Sequence, residues 1–484
     1  MALFGTSFLL LFIFEGPPKD KFFFVNPASY FIPSDLLIDD SWYKIDFNNN
    51  FIGYCHCLIK RDITKKNRGG YILQNKLFLR IPMLGELEKF NLDTKVNLTK
   101  NYSLCNAQIN FSTGKYFFKG RIEKEKNKRF KLIITTPAQT STQYINTSYK
   151  FISSSFMPLL SNYLPLNKKT KIMLFDPFIN REITAYLENK GHKIITFNNK
   201  ETEVIEMSLN VEGMEGKIYT DIKGHLLRQE MLGFKFTKIA PSELFKKSFS
   251  IASIDFINNF TVSVETIPEK EKIKKLTLKI EGVDLKNIPQ KYNQQVDKNF
   301  STVTLSRVVP KKISSLPVDE KIFFSYLKED RFIKFRSTDI EKIAKRIVGK
   351  ETDPFKIIKL FNDWINENIR RIPTISIPNS LDTLKLRQGD CGELSALLVG
   401  FLRSVGIPSY VNIGLVYKDG RFFYHAWVSA FVGEWIDTDP ALSQLIADVT
   451  HLALRKSLEG QFEIFEFIGK IKIKVLNYTY IEND

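Results

Sequence analysis

The 484-residue chain holds only four cysteines, at positions 55, 57, 105 and 391. Four in this length is no disulfide framework. Cys55 and Cys57 fall two apart, on one face of a strand, with His56 between them on the other face. No further ligands stand at metal-site spacing around them, so they read as packing residues and not as a zinc site. No acidic loop has calcium-ligand spacing either. No metal and no cofactor is expected. Long apolar runs are scarce too. The one that stands out, Ala2 to Phe14, is broken by Gly5, Thr6 and Ser7. It has the length of an export-signal core and is short for a membrane span. It also lacks a basic leader and an A-x-A-like cleavage site. It reads as an export signal or uncleaved anchor, giving membrane association through residues 2–14, with a buried N-terminal segment as the alternative.

Acidic residues are outnumbered, 53 against 70 Lys and Arg, for a formal charge of +17. The lysines are spread along the whole chain, which suits solvated faces better than one polyanion-binding surface, so no nucleic-acid partner is expected. A hydrophobic share of 43% excludes wholesale disorder, and the length calls for two or three domains.

Along the chain, residues 1–40 form a hydrophobic lead-in. From Trp42 the text turns β-rich: WYKIDFNNNFIGYCHCLIKR reads as strand, Asn turn, strand. GGYILQNKLFLRI, KYFFKGRIEK and RFKLIITT continue it, and a short helical interruption near Phe156–Tyr163 precedes further strands. Residues 41–240 thus read as one antiparallel β domain without a catalytic constellation, its His192 and His225 in ordinary surface or packing roles. Residues 241–312 read as a small β linker subdomain in which NIPQKYNQQVDKN is a loop. Residues 313–484 bring the helices. In TDPFKIIKLFNDWINENIRRI, Asp353 caps and Pro354 opens a helix. Ile358, Phe361, Ile365, Ile369 and Ile372 form its stripe, and Pro373 ends it.

RQGDCGELSALLVG opens a second capped helix, with Asp390 and Glu393 in a D-x-x-E capping box. An apolar face from Leu394 to Val405 follows, and Gly406 and Pro408 supply the stop. Cys391 sits on the first turn. The helix dipole and free N–H groups favour a thiolate there and can donate to an oxyanion. A nucleophilic cysteine needs a base and something to orient it. SYVNIGLVY and FFYHAWVSAFV read as a hairpin carrying His425, and WIDTDP follows with Asp437 and Asp439. Register decides their use. A two-residue turn at Gly433–Glu434 puts Asp439 on the face opposite His425. A three-residue loop, Val432–Glu434, puts it diagonal to His425 on the same face. Asp437, nearer the turn, is the weaker candidate.

GDCGE, YHAWV and W-x-x-x-D-P, in this order, resemble the transglutaminase-like superfamily of papain-type cysteine enzymes. TISIPNSLDTLKLRQGDC and ADVTHLAL resemble its bacterial, envelope-associated members. WYKIDFNNNFIGYCH resembles the opening of their β-rich N-terminal domain, with Asn49 or Asn50 in place of the usual turn glycine. The resemblance implies an α+β fold: a transglutaminase-like catalytic domain of helices packed on an antiparallel sheet, preceded by a large antiparallel β domain. It implies Cys391 as nucleophile, His425 as general base and acid, and Asp439 as the group holding the imidazole. Asp439 is preferred over Asp437 because the family's aspartate precedes proline, four residues after tryptophan. The implied activity is thiol-dependent acyl transfer on peptide or amide bonds, most simply that of a cysteine protease or amidase. Protein-glutamine cross-linking and a non-catalytic scaffold of the cell envelope are the alternatives. Peptide or protein substrates, including cell-wall peptide, and a cell-envelope location go with it. Gln388 invites comparison with an oxyanion glutamine, though at the wrong spacing. Trp427 shields the base or packs, and His451 and Asp448 line a cleft or serve as caps.

Overall fold

The structure, a computed structural model, describes residues 12–15, 39–63, 69–83, 86–100, 103–125, 129–146, 150–176, 181–244, 261–311, 316, 320–372, 377–458, 464 and 467–481. The chain divides into two units, residues 1–254 and 255–484.

The first unit is a sixteen-stranded antiparallel sheet built from two meanders. One runs from Asp39–Phe47 to Thr140–Asn146, the other from Lys169–Asp176 to Phe234–Ile239. They join where Phe234–Ile239 pairs with Asp39–Phe47. The hairpins are tight because their turns carry residues that tolerate positive φ: Asn48–Asn49, Asn198–Asn199, Glu212–Gly213 and Leu232–Gly233 all lie there. The expected Asn turn is therefore Asn48–Asn49, and Asn50 opens the next strand opposite Phe47. The expected helical interruption is a 3-10 helix, Ser154–Asn162. The end of the apolar N-terminal run, Phe12–Glu15, pairs as a strand between Lys150–Ser153 and Lys169–Asp176. The rest of that run lies outside the described residues. Among those described, no helix is long and apolar enough to cross a membrane.

In the second unit we label strands β1 (Thr261–Ser263), β2 (Ile273–Glu281), β3 (Gln294–Asp297), β4 (Thr302–Ser306), β5 (Ser409–Lys418), β6 (Arg421–Phe431), β7 (Trp435–Thr438), β8 (Leu452–Lys456) and β9 (Lys472–Tyr480). One sheet has the order β1-β6-β5-β8, with β7 also on β6, and the other the order β3-β4-β2-β9. The segment read as a linker is woven into this unit, because β1 pairs with β6 and β2 with β9. The stretch read as a loop contains β3, whose alternating burial fits a strand.

After β4 and a single turn of helix at Glu320–Phe323, the described residues hold four longer helices: α1 (Thr338–Val348), α2 (Pro354–Asn368), α3 (Ser380–Leu386) and α4 (Cys391–Ser404). Asp353 caps α2 through the Phe355 and Lys356 N–H groups at 2.9 and 3.3 Å. The helix stops at Asn368, and Ile369 is already extended, so the apolar stripe ends at Ile365. Pro373, the expected stop, lies outside the described residues. Expected to bury one face, α4 is instead buried continuously from Glu393 to Arg403. It touches α1, α2 and α3 as well as β5 and β6, so it forms the core of the unit. Burying each large side chain, such as Leu397 or Phe401, stabilises the fold by about 1.5–3 kcal/mol relative to exposure.

Candidate active site

Cys391 is the first residue of α4, behind its cap Asp390. The capping box closes as expected: the Asp390 N–H donates to Glu393 Oε2 at 3.0 Å. Asp390 Oδ1 also accepts the Cys391 N–H at 2.7 Å. One N–H that the sequence offers to an oxyanion is therefore engaged by the cap. The thiolate expectation needs a correction for the same reason. The protein packed around the half-buried sulfur, and next the Asp390 carboxylate, push the Cys391 thiol well above its usual value. The Ala426 backbone N–H near the sulfur opposes them, while Glu393 and Asp439 add to them. The sulfur stands at the start of a helix, but burial first and then the capping carboxylates set the direction for this thiol.

The nearness of Ala426 places the sulfur beside β6, one residue past His425. In β6, His425 pairs across the sheet with Gly414. A Cβ at Gly414 would sit 2.0 Å from the Leu452 carbonyl oxygen and 2.9 Å from the Trp427 ring, so β5 must be bare at this position. The β6–β7 hairpin pairs Phe431 with Trp435 and Ser429 with Asp437. Its loop is the three residues Val432–Glu434, the odd length that keeps the aspartates on the His425 face. The register carries Asp439 to the base, with His425 Nε2 2.7 Å from Asp439 Oδ2. That leaves Nδ1 for proton exchange.

Asp439 is fully buried and held from both sides. Oδ1 accepts the Ala441 and Leu442 N–H groups at 2.8 and 3.0 Å. Oδ2 meets His451 Nε2 at 3.0 Å as well as His425. Burial alone would raise its pKa, but the two imidazoles outweigh burial and hold the carboxyl well below the usual range. His451 and Asp448 are both buried, so neither has a surface role. Burial opposes charge on His451, yet its bonds to Asp439 and Asp448 raise it to about 10.

Asp437 has another task. Lys291 Nζ reaches Oδ2 at 2.8 Å, Tyr292 Oη donates to Oδ1 at 2.7 Å, Asn293 Nδ2 donates at 2.9 Å, and the Ser429 hydroxyl donates as well. Burial works against this charge, but Lys291 in particular brings it down to about 2. Trp427, completely buried, lies nearly parallel to the His425 ring at 6.4 Å and packs beneath it. Gln388 is buried in a two-residue parallel pair, opposite Arg370.

His425, Asp439 and His451 offer three ligand atoms within 4.8 Å of one another. The two short separations, 2.7 and 3.0 Å, are those of hydrogen bonds. Two ligand atoms about 2.0–2.1 Å from a tetrahedral zinc stand about 3.3 Å apart. In the first unit, His192 pairs with Glu203 and His225 with Asp221, both at 2.9 Å. Cys55 is buried, with its sulfur 3.5 Å from that of Cys57 on the same strand face.

Reading the sequence missed Lys291, Tyr292 and Asn293, whose partner is more than 140 residues away. Nothing local marks such a contact. His451 was noticed, but its attachment to Asp439 was not.

The family model of the transglutaminase-like superfamily matches residues 341–440. An uncharacterized protein of Mycobacterium leprae is 30% identical over 116 residues, covering 22% of this chain and 40% of that protein. An uncharacterized protein of Haemophilus influenzae is 28% identical over 137 residues, covering 26% and 36%. The chain thus spans well under half the length of either relative. Among solved structures, a candidate cysteine protease from Cytophaga hutchinsonii matches at 17% identity with a TM-score of 0.29, covering 46% of this chain and 89% of that one. The matched residues, 341–440, hold α4 with Cys391 and the strands that lead to His425 and Asp439, so the likeness to the transglutaminase-like superfamily falls on the candidate site itself.

Proposed function

We propose that the second unit is a thiol-dependent acyl-transfer enzyme of papain-type, helix-on-sheet design, acting on peptide or amide bonds as a cysteine protease or amidase. The observation that carries the reading is the hydrogen bond from His425 Nε2 to the buried Asp439, with the Cys391 sulfur close to Ala426, one residue further along the same strand. A base oriented through one nitrogen and free at the other, beside a thiol at a helix start, is what nucleophilic catalysis by sulfur requires.

In this reading Cys391 attacks the carbonyl carbon as its proton passes to His425 Nδ1. Asp439 fixes the ring and balances the imidazolium. Collapse of the tetrahedral adduct breaks the C–N bond, and the leaving amine takes the proton from His425. Water then attacks the thioester, giving a proton back to His425, and the thiol is regenerated as the acid departs. The raised thiol means that the sulfur is activated during attack by His425 and is not held as a standing thiolate. The substrate is a peptide or protein, and a cell-envelope location with wall peptide as one substrate belongs to the same proposal.

Casein mixed with a fluorescent primary amine tests it on the full chain. Casein fragments that vanish with Cys391→Ala are the expected result. Amine incorporated into intact casein would replace hydrolysis by cross-linking, and neither product across a panel of peptides and amides would favour a scaffold.

A further inference from the structure

His451 sits where only proton donors are useful. It is 3% exposed. Its Nε2 faces Asp439 Oδ2 at 3.0 Å, and its Nδ1 faces the Asp448 carbonyl oxygen at 2.9 Å. The Asp448 carboxylate stands 3.4 Å from the same nitrogen. Both ring nitrogens therefore meet acceptors. A neutral ring would turn a lone pair onto one of them, so this environment selects the form with both hydrogens, the cation. The elevated proton affinity of this ring agrees.

The other charges near it are accounted for. Lys270 Nζ binds the far oxygen of Asp448 at 2.9 Å, and Gln444 donates to that same oxygen. From β6 come only the Trp427 ring, edge-on at 5.1 Å, and His425, whose ring centre is 6.1 Å away.

We propose that His451 is a positioning residue for this site: a fixed imidazolium that pins Asp439 and offsets its charge, so that His425 gives up its proton more readily than a lone buried carboxylate would allow. The inference rests on the proposed role of His425 as base, and it adds a control on that base. A carboxylate 2.7 Å from His425 favours the imidazolium that forms when the ring takes the thiol proton. A second cation on the same oxygen weakens that preference. Two like charges about 6 Å apart in a partly polar interior shift each other by about one to two pKa units.

The test is a pH titration of the five histidines in the full chain, labelled with nitrogen-15 at histidine and followed by NMR. In His451→Gln, which keeps a donor but loses the charge, the His425 midpoint should rise by about one unit or more. His451→Asn is the second variant should His451→Gln fail to fold. It removes the same charge and leaves Asp448 in place, and the His425 midpoint should rise likewise. An unchanged or lowered His425 midpoint overturns the proposal. So does a kcat/KM profile that falls in height with its His425 limb unmoved, which is what mere structural support would give. The NMR readout needs no substrate, so failure of the acyl-transfer reading would show separately, as a wild-type chain without turnover whose His425 still responds to His451.

Discussion

Lys291 and Asp437 form an ion pair at 2.8 Å in which both side chains are almost wholly buried. Lys291 comes from the stretch just before β3, Asp437 from β7 beneath the site. The pair ties the segment ahead of the helices to the strand that delivers Asp439 two residues later. Removing one partner strands a charge in the interior, so Lys291→Met should destabilise the unit by about 3 kcal/mol. Lys291→Met with Asp437→Asn should recover part of that. Thermal unfolding of the three chains checks it, and equal losses in the single and double variants would contradict the coupling.

The acid of the site should matter more for rate than for binding. Asp439→Asn keeps the shape but removes the charge that balances the imidazolium, and kcat should drop about 10²- to 10⁴-fold with little change in KM. Steady-state kinetics on a peptide substrate measures this. Asp437→Asn, on the Lys291 side, should act through folding stability and leave kcat of the folded fraction within a few-fold of wild type.

Asp390 is predicted to restrain the thiol. Asp390→Asn keeps a helix cap and removes the nearest carboxylate that pushes Cys391 up. Alkylation by iodoacetamide, located by peptide mapping, should begin at lower pH and run several-fold faster at neutral pH. Cys55, buried in the other unit, serves as the slow internal standard. An unchanged rate profile would mean that packing alone sets the thiol.

The His451 charge also predicts how stability responds to pH. Its folded-state value, about 10, lies above the ordinary histidine value near 6.5. Stability from this group is therefore fully present below about pH 6.5 and is lost as pH rises towards 10. Asp437 works in the opposite direction: its value is lowered to about 2, so its contribution is present above about pH 4 and fades as pH falls towards 2. Urea unfolding followed by tryptophan fluorescence, in a Trp42→Phe background that leaves Trp364, Trp427 and Trp435 to report, should show an alkaline decline that His451→Gln abolishes.

What was legible in the sequence was local. Asp390, Glu393 and Gly406 mark the ends of α4 because capping and helix stops are written within a few residues of each other. The spacing from His425 to Asp439 confined the hairpin to two registers and named the loop that separates them. The charge on Cys391 was misjudged for two reasons: the burial that dominates it arises only when the strands close over α4, and the cap carboxylates Asp390 and Glu393, visible in the sequence, were not weighed against the dipole. Lys291 with Asp437, and His451 with Asp439, were not legible, since no periodicity links residues that meet only after the sheets form. The continuous burial of α4 was hidden in the same way, because Ser395, Gly400 and Arg403 read as an exposed face until the surrounding helices and strands close over them.

The three-residue link between β6 and β7 has a consequence for how this protein can change. Side chains along a strand alternate like the colours of a chessboard, so what has to be kept is the pairing of Phe431 with Trp435 across that link. Deleting Gly433 while that pair holds leaves both aspartates on the side of the histidine. A slip by one residue, with Phe431 opposite Ile436, would instead turn Ile436 and Thr438 towards the histidine and send both aspartates to the opposite side, at once undoing the Lys291 anchor and the partner of the base. In a related chain it is therefore the residue facing Phe431, more than the length of the link, that tells whether its aspartate can still reach its histidine.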